Sequence, residues 1–236
     1  MTYPVDSPTT AARPGRQTKA LRADGVSVAY GDLVALHEID LTAQPGQFLA
    51  VTGPSGAGKS SLLWALAGAL VPASGAVTYG GWPVAGREAA ARAGIVIIPQ
   101  GNGLATTLTA TENALVPLLI TGTPPDQAAE RVQDALTSVG LQDSGNHLIE
   151  ELSGGQQQRV AVARALASRA NVILADEPTS DLDSATRERV IALLRAETDA
   201  GAIVIMSTHD PDAAAETDAE VALDEGHLTW ARTPTT

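Results

Sequence analysis

Residues 46–70 read GQFLAVTGPSGAGKSSLLWALAGAL. An apolar run leads into a glycine-rich turn, and a second, longer apolar run leads out of it. GQFLAVT (46–52) has the length and continuous apolarity of a strand buried on both faces, and SSLLWALAGAL (60–70) has the length of a helix. Between them, Gly53, Gly58, Lys59 and Ser60 satisfy the spacing G-x-x-x-x-G-K-S/T, with a further glycine at Gly56. Glycines let the backbone turn so that several N–H groups converge on phosphate oxygens at a helix N-terminus. Lys59 then reaches the β- and γ-phosphates, and the Ser60 hydroxyl can ligate Mg2+. The candidate phosphate cradle is the whole turn: Gly53, Pro54, Ser55, Gly56, Ala57, Gly58, Lys59, Ser60 and Ser61. A bare glycine turn ahead of a helix would need neither the lysine nor the hydroxyl, so the segment predicts nucleotide binding.

Working outward, GIVIIPQ (94–100), NVILADE (171–177) and GAIVIMSTH (201–209) are further apolar strand patterns, the last two each preceded by a helical pattern. Apolar strands separated by helices indicate a parallel sheet covered on both faces, an α/β fold. The run 21–46, LRADGVSVAYGDLVALHEIDLTAQPG, alternates more and has turn signals at Gly25, Gly31 and Pro45–Gly46. It predicts an antiparallel β piece attached to that sheet. From 101 to 170 the strand signals stop. Helical patterns follow at 109–121, 125–140 and 153–168, the second opening near Pro124–Pro125–Asp126 and closing at Gly140, good start and stop chemistry. A helical subdomain at about 101–158, inserted in the α/β core, is the expected arrangement.

The 236-residue length suits one such domain, and 44% hydrophobic against 18% charged residues marks a folded chain. Residues 1–18 are rich in Pro and Thr and read as a mobile tail, leaving 19–236 as the folded unit. A net charge of −12 opposes a general electrostatic grip on nucleic acid or anionic lipid. Cysteine is absent, so neither a disulfide framework nor a thiolate metal site exists. Lys19 and Lys59 are the only lysines among the 15 basic residues, and one of them sits in the glycine loop. The uncharged stretch 60–86 is broken by Pro72, Gly75, Gly80, Gly81 and Pro83, and its apolar run 62–71 is half the roughly 20 residues a membrane span needs. Work at a membrane would therefore need another chain.

The strand pattern at 171–177 ends in Asp176–Glu177, and Pro178 stops the ladder. Adjacent strand residues point to opposite sides, but at a turning strand end both carboxylates can enter one site. Asp176 is the better candidate to hold a metal, with Glu177 orienting or deprotonating an attacking water. Gln100 and His209 also follow apolar strands, and strand carboxyl ends face the ligand crevice in open α/β sheets. Gln100 could touch Mg2+ or the water, and His209 could hydrogen-bond a γ-phosphate. Taken singly, each of these residues also reads as an ordinary loop residue.

LSGGQQQR (152–159) is a second candidate anion grip. Standing alone it reads as a serine helix cap with two glycines. However, GPSGAGKSS, Gln100, LSGGQQQR, ILADEPTSDLD and His209 occur in the order and spacing of the ATP-binding-cassette ATPases, and the chain resembles that family over roughly 20–230. The resemblance implies a P-loop NTPase fold with a RecA-like parallel sheet core, ATP and Mg2+ as ligands, and a head-to-tail dimer of two copies. In such a dimer Ser153, Gly154, Gly155 and Gln156 cover the γ-phosphate held by the partner. It further implies that Tyr30 stacks on adenine and that Ser180 and Asp183 join the two sites.

Within the family, the chain looks most similar to the ATPases of macrolide exporters, lipoprotein-release complexes and the cell-division pair. It departs from them at Pro99, where they usually carry an aromatic, and at Ser180–Asp181, where they usually read Gly-Asn. The implied role is a motor for a separate integral membrane permease, with the chain cytoplasmic and peripheral on the inner membrane face and contacting its partner through 101–150. Two alternatives fit less well. Soluble cassettes acting on nucleic acid or ribosomes usually add a second cassette, a long coiled coil or zinc modules, and no nucleic-acid partner is expected here. A phosphate-loop kinase has no use for LSGGQQQR.

Overall fold

The computed structural model describes residues 19–234; the amino-terminal stretch 1–18, read above as a mobile tail, lies outside the described residues. In chain order the elements are β1 (Leu21–Tyr30), β2 (Leu33–Ala43), β3 (Phe48–Thr52), α1 (Lys59–Leu66), β4 (Ser74–Tyr79), β5 (Trp82–Pro83), α2 (Arg87–Ala93) and β6 (Ile95–Ile98). They continue with α3 (Ala110–Ile120), α4 (Pro125–Ser138), a 3-10 turn at Ile149–Glu151, α5 (Gly154–Ser168), β7 (Val172–Asp176) and α6 (Ser184–Asp199). The chain then runs through β8 (Ile203–Ser207), α7 (Pro211–Ala215), β9 (Ala219–Asp224) and β10 (His227–Arg232).

The apolar strand patterns assemble into a six-stranded sheet of order β10-β9-β3-β8-β7-β6. Its five central and distal strands run parallel and β10 returns antiparallel. β3, β7 and β8 are buried on both faces, which is why they lack polar alternation. Along β8, Ile203 and Ile205 enter one core cluster while Val204 and Met206 enter the other, the period-two alternation of a strand. The first cluster lies under α1, with Leu62, Leu63 and Leu66; the second lies under α3, α4, α5 and α6.

Residues 21–46 form the expected antiparallel β piece. They do not join the parallel sheet but form a separate antiparallel sheet of order β2-β1-β4-β5. β4 extends it on the other edge of β1, pairing from Leu21↔Tyr79 onward. This second sheet buries Val26, Val28, Leu36 and Ile39 against the α1 side of the core. The β9–β10 hairpin is absent from the expected elements. Its two-residue turn, Glu225–Gly226, has φ of 44° and 78°, the left-handed pair that a tight hairpin requires.

The helices between β6 and β7 are held by local chemistry. Thr109 caps α3, accepting the Glu112 N–H at 3.2 Å, while the Glu112 carboxylate accepts the Thr109 N–H at 2.8 Å. This reciprocal pair is a capping box, and it holds the Glu112 carboxyl below its ordinary pKa. Arg164 on α5 donates to the carbonyls of Asn102 and Gly103 at 2.9 and 2.7 Å. The loop after β6 is thereby fastened to α5, and burial lowers the Arg164 pKa.

Candidate nucleotide site

The turn between β3 and α1 is shaped by two glycines that no other residue could replace without movement. Gly53 has φ 138°, and a Cβ there would lie 2.0 Å from the Leu223 carbonyl oxygen of β9. Gly58, which precedes α1, has φ 104°, and its Cβ would lie 2.6 Å from the Ala35 carbonyl. Such close approaches exclude a side chain. Lys59 folds back over the turn, its Nζ donating to the carbonyls of Gly53 and Pro54 at 2.8 and 3.0 Å. Ala57 and its neighbour strand are tied together by a bond from the Gly226 N–H to the Ala57 carbonyl at 3.1 Å.

Above this turn is a cavity of about 450 Å3. Its walls include Ser55, Gly56, Gly58, Lys59, Ser60 and Ser61 from the turn, Tyr30 from β1, and Gln100, Asp176, Glu177 and His209 from three strand ends. Residues separated by up to 179 positions thus meet at the carboxyl edge of the parallel sheet, where α/β folds place ligands. Tyr30 stands at the rim, half exposed, with its hydroxyl 3.2 Å from Ser61 Oγ.

The two acids reach the cavity by different routes. Asp176 closes β7 and is buried. Ser207 Oγ donates to its Oδ1 at 2.6 Å, whereas its Oδ2 is shielded from solvent without a hydrogen-bond partner. Glu177 then adopts a left-handed φ of 51°, uncommon for a residue with a side chain. That turn cancels the strand alternation and swings the Glu177 carboxylate into the cavity that Asp176 faces. His209 Nδ1 lies 3.0 Å from Glu177 Oε2.

Ser153, Gly154, Gly155 and Gln156 do not line this cavity. They open α5, where Ser153 Oγ accepts the Gln156 N–H at 3.3 Å and Gln156 Oε1 accepts the Ser153 N–H at 2.9 Å. Ser153 and Gly154 face solvent. Asp183 likewise caps α6, accepting the Thr186 N–H at 3.0 Å. Ser180 does line the cavity and donates to the Glu177 carbonyl at 3.2 Å. Leu33 and Ala35 of β2 also line it. Nothing in their sequence marks them beyond proximity to Tyr30, because the hairpin that delivers them is set by pairing.

A phosphate turn at the edge of a doubly covered parallel sheet, facing a strand-end acid pair and flanked by a helical insert, defines an ATP-binding cassette. Residues 36–180 match the family described as ABC transporter, and the chain belongs to that family.

Among similar proteins, the lipoprotein-releasing system ATP-binding protein LolD of Granulibacter bethesdensis is 41% identical over 89% of this chain and 96% of its own length. The macrolide export ATP-binding/permease protein MacB of Nitrosomonas europaea is 39% identical over 86% of this chain. The chain spans only 32% of that protein's length. The Fe(3+) ions import ATP-binding protein FbpC of Brucella abortus is 38% identical over 95% of this chain and 63% of its own length. Among solved structures, a dimeric ABC transporter cassette, MJ0796, superposes with a TM-score of 0.83 at 31% identity, covering 90% of this chain and 99% of that one. The same cassette in a post-hydrolysis dimer bound to ADP and Pi gives 0.82 at the same identity.

Proposed function

We propose that the chain is the ATP-hydrolysing, nucleotide-binding subunit of an ABC transporter or mechanotransmission complex, working as a head-to-tail dimer that drives a separate membrane protein. In this reading 19–236 is one cassette with a helical subdomain at about 101–158. The observation that carries it is a division of labour. One cavity gathers the phosphate turn, Asp176, Glu177 and His209, while the Ser153–Gln156 helix start lies outside it and faces solvent. A second anion grip that cannot serve its own chain's cavity suits a partner's nucleotide, and the dimeric ADP- and Pi-bound neighbour supports that arrangement.

The nucleotide would lie with adenine against the Tyr30 ring and its phosphates on the N–H groups of Gly56 to Ser61. Lys59 would exchange its two carbonyl partners for phosphate oxygens. Glu177 orients the attacking water, held through its carboxylate by His209, whose exposed ring also stands where a γ-phosphate would reach.

The residues present fit Mg2+. Asp176 Oδ2 is a buried oxygen in need of a partner, and Ser60 and Gln100 line the same cavity. Among the described residues no group of three or more His, Cys, Asp or Glu could hold a metal unaided; Mg2+ characteristically shares its shell with phosphates. When bound, it would neutralise charge building on the phosphate oxygens.

Among the described residues no helix is long and apolar enough to cross a membrane. LolD, matched along almost its whole length, is named as an ATP-binding protein of a releasing system, which supports a motor subunit separate from its permease. Val116, Leu119 and Ile120 on α3 are exposed apolar residues in the 101–150 region, suited to meet that permease at the inner membrane face. The test is a pull-down from detergent-solubilised membranes with tagged Glu177→Gln protein held closed by Mg-ATP. Stoichiometric recovery of an integral membrane protein supports the reading. Recovery of only ribosomal or nucleic-acid material would transfer the motor to a soluble target.

A further inference from the structure

We infer that Ser207 is a positioning residue for hydrolysis: a single buried hydroxyl fixes both the metal-facing oxygen of Asp176 and the backbone turn of Glu177. The inference rests on the ATPase reading above and names the residue on which its two acids depend. Ser207 is the last residue of β8 and pairs in register with Asp176, the last residue of β7. Two residues earlier on each strand, Ile205 and Leu174 both enter the core cluster under α1. Period-two alternation therefore turns the Asp176 and Ser207 side chains to the same face, the one on which the helix following the phosphate turn is packed.

The hydrogen-bond directions there are not free. Glu177 N–H lies 3.0 Å from Ser207 Oγ, and an amide N–H can only donate. A lone pair of the hydroxyl accepts it, and the single hydroxyl proton goes to Asp176 Oδ1 at 2.6 Å. This occupies one carboxylate oxygen and leaves Oδ2, shielded and unpartnered, as the oxygen available to a cation. The same hydroxyl, with the Ser207 carbonyl 3.3 Å from that N–H, anchors the amide of Glu177 where φ turns to 51°. Glu177 is thus held at both ends by one segment: its amide by Ser207, its carboxylate by His209 two residues on. Without the hydroxyl, the Asp176 carboxylate has two equivalent buried oxygens and no fixed rotation, and the Glu177 turn loses an anchor.

The experiment compares wild type, Ser207→Ala, which deletes the hydroxyl, and Ser207→Thr, which retains it. Affinity for Mn2+ of the ADP-loaded protein is read from the electron paramagnetic resonance of free Mn2+. Affinity for a fluorescent ATP analogue is measured in EDTA, kcat and KM from a Mg-ATP titration, and folding by thermal melt. Partners that orient metal ligands typically contribute 10–100-fold in metal affinity or activity. Ser207→Ala should therefore weaken Mn2+ binding and lower kcat by roughly 10-fold or more, with metal-free nucleotide affinity, KM and the fold retained. Ser207→Thr should restore both losses most of the way. Wild-type Mn2+ affinity and kcat in Ser207→Ala overturn the assignment. So does a loss of metal-free nucleotide affinity in step with kcat that Thr fails to rescue, because that is a packing defect. If wild type itself shows no nucleotide-dependent Mn2+ binding and no turnover, the ATPase reading falls, and Ser207's role with it.

Discussion

His209 Nδ1 lies 3.0 Å from Oε2 of Glu177, joining a ring that is 71% exposed to a carboxylate side chain that is only 12% exposed. The two residues come from different strand ends 32 positions apart. Only the pairing of β7 with β8 brings them together. The contact makes His209 a support for the Glu177 carboxylate.

Their effects should therefore not add. Glu177→Gln should reduce phosphate release at saturating Mg-ATP by about 10²–10⁴-fold, the usual contribution of a positioned general base. His209→Ala should cost less, on the order of 10–100-fold if it acts chiefly through one charge-assisted hydrogen bond. The double variant should be little slower than Glu177→Gln alone. Strictly multiplicative losses would show that His209 acts independently of the glutamate.

Gly53 and Gly56 both have positive φ but differ in space. A Cβ at Gly53 meets the Leu223 carbonyl at 2.0 Å, whereas at Gly56 nothing lies within 4 Å. Gly56→Ala should cost about 1–2 kcal/mol of backbone strain. Gly53→Ala should add an overpacking penalty of roughly 1–3 kcal/mol and push β9 away from the phosphate turn. Denaturant melts of both variants give the comparison; equal destabilisation would contradict the close approach.

Ser153 separates capping from assembly. As a cap of α5 it contributes about 1 kcal/mol, so Ser153→Ala should melt slightly earlier and bind nucleotide as a monomer normally. If Ser153 also meets a partner's phosphate, the same substitution in a Glu177→Gln background should abolish dimer formation in Mg-ATP. Light scattering reads this directly, and a dimer persisting at wild-type strength would remove Ser153 from the interface.

The Asp183 cap gives a pH signature. The Thr186 N–H, and then the Thr186 hydroxyl, hold the Asp183 carboxyl below its ordinary pKa. A lowered folded value means that the added stability is fully present above the unfolded carboxylate pKa and disappears as pH falls through the folded one. Asp183→Asn keeps a capping oxygen but carries no charge. The gap in Tm between wild type and Asp183→Asn should thus narrow as pH falls below the ordinary carboxylate range. A gap that stays constant would mean the charged form is not what the helix start favours.

Much of the architecture is written in short-range pattern. Continuous apolarity at 48–52, 172–176 and 203–207 marks strands buried on both faces, and Thr109–Glu112 and Ser153–Gln156 mark helix starts by reciprocal capping. Elsewhere local pattern was ambiguous. β4 begins at Ser74–Gly75, residues that read as a turn. β9 alternates buried residues with Glu220, Ala222 and Asp224, and β10, the edge strand beside it, is mostly exposed. α1 stops at Leu66, short of its apolar run, where Gly68 turns left-handed against Gly86.

By itself the sequence determined the glycine turn ahead of α1, the strand end at Asp176 and the Ser153 helix cap, since each depends on residues within a few positions whose chemistry is set by spacing. Tertiary structure alone decided that 21–46 forms a separate sheet, that Leu33 joins Tyr30 at the cavity, and that Ser207 stands opposite Asp176. Those relations depend on the lateral register of strands far apart in the chain. Register is selected by burying both faces of a sheet at once, and no local pattern encodes which buried neighbour a residue will meet.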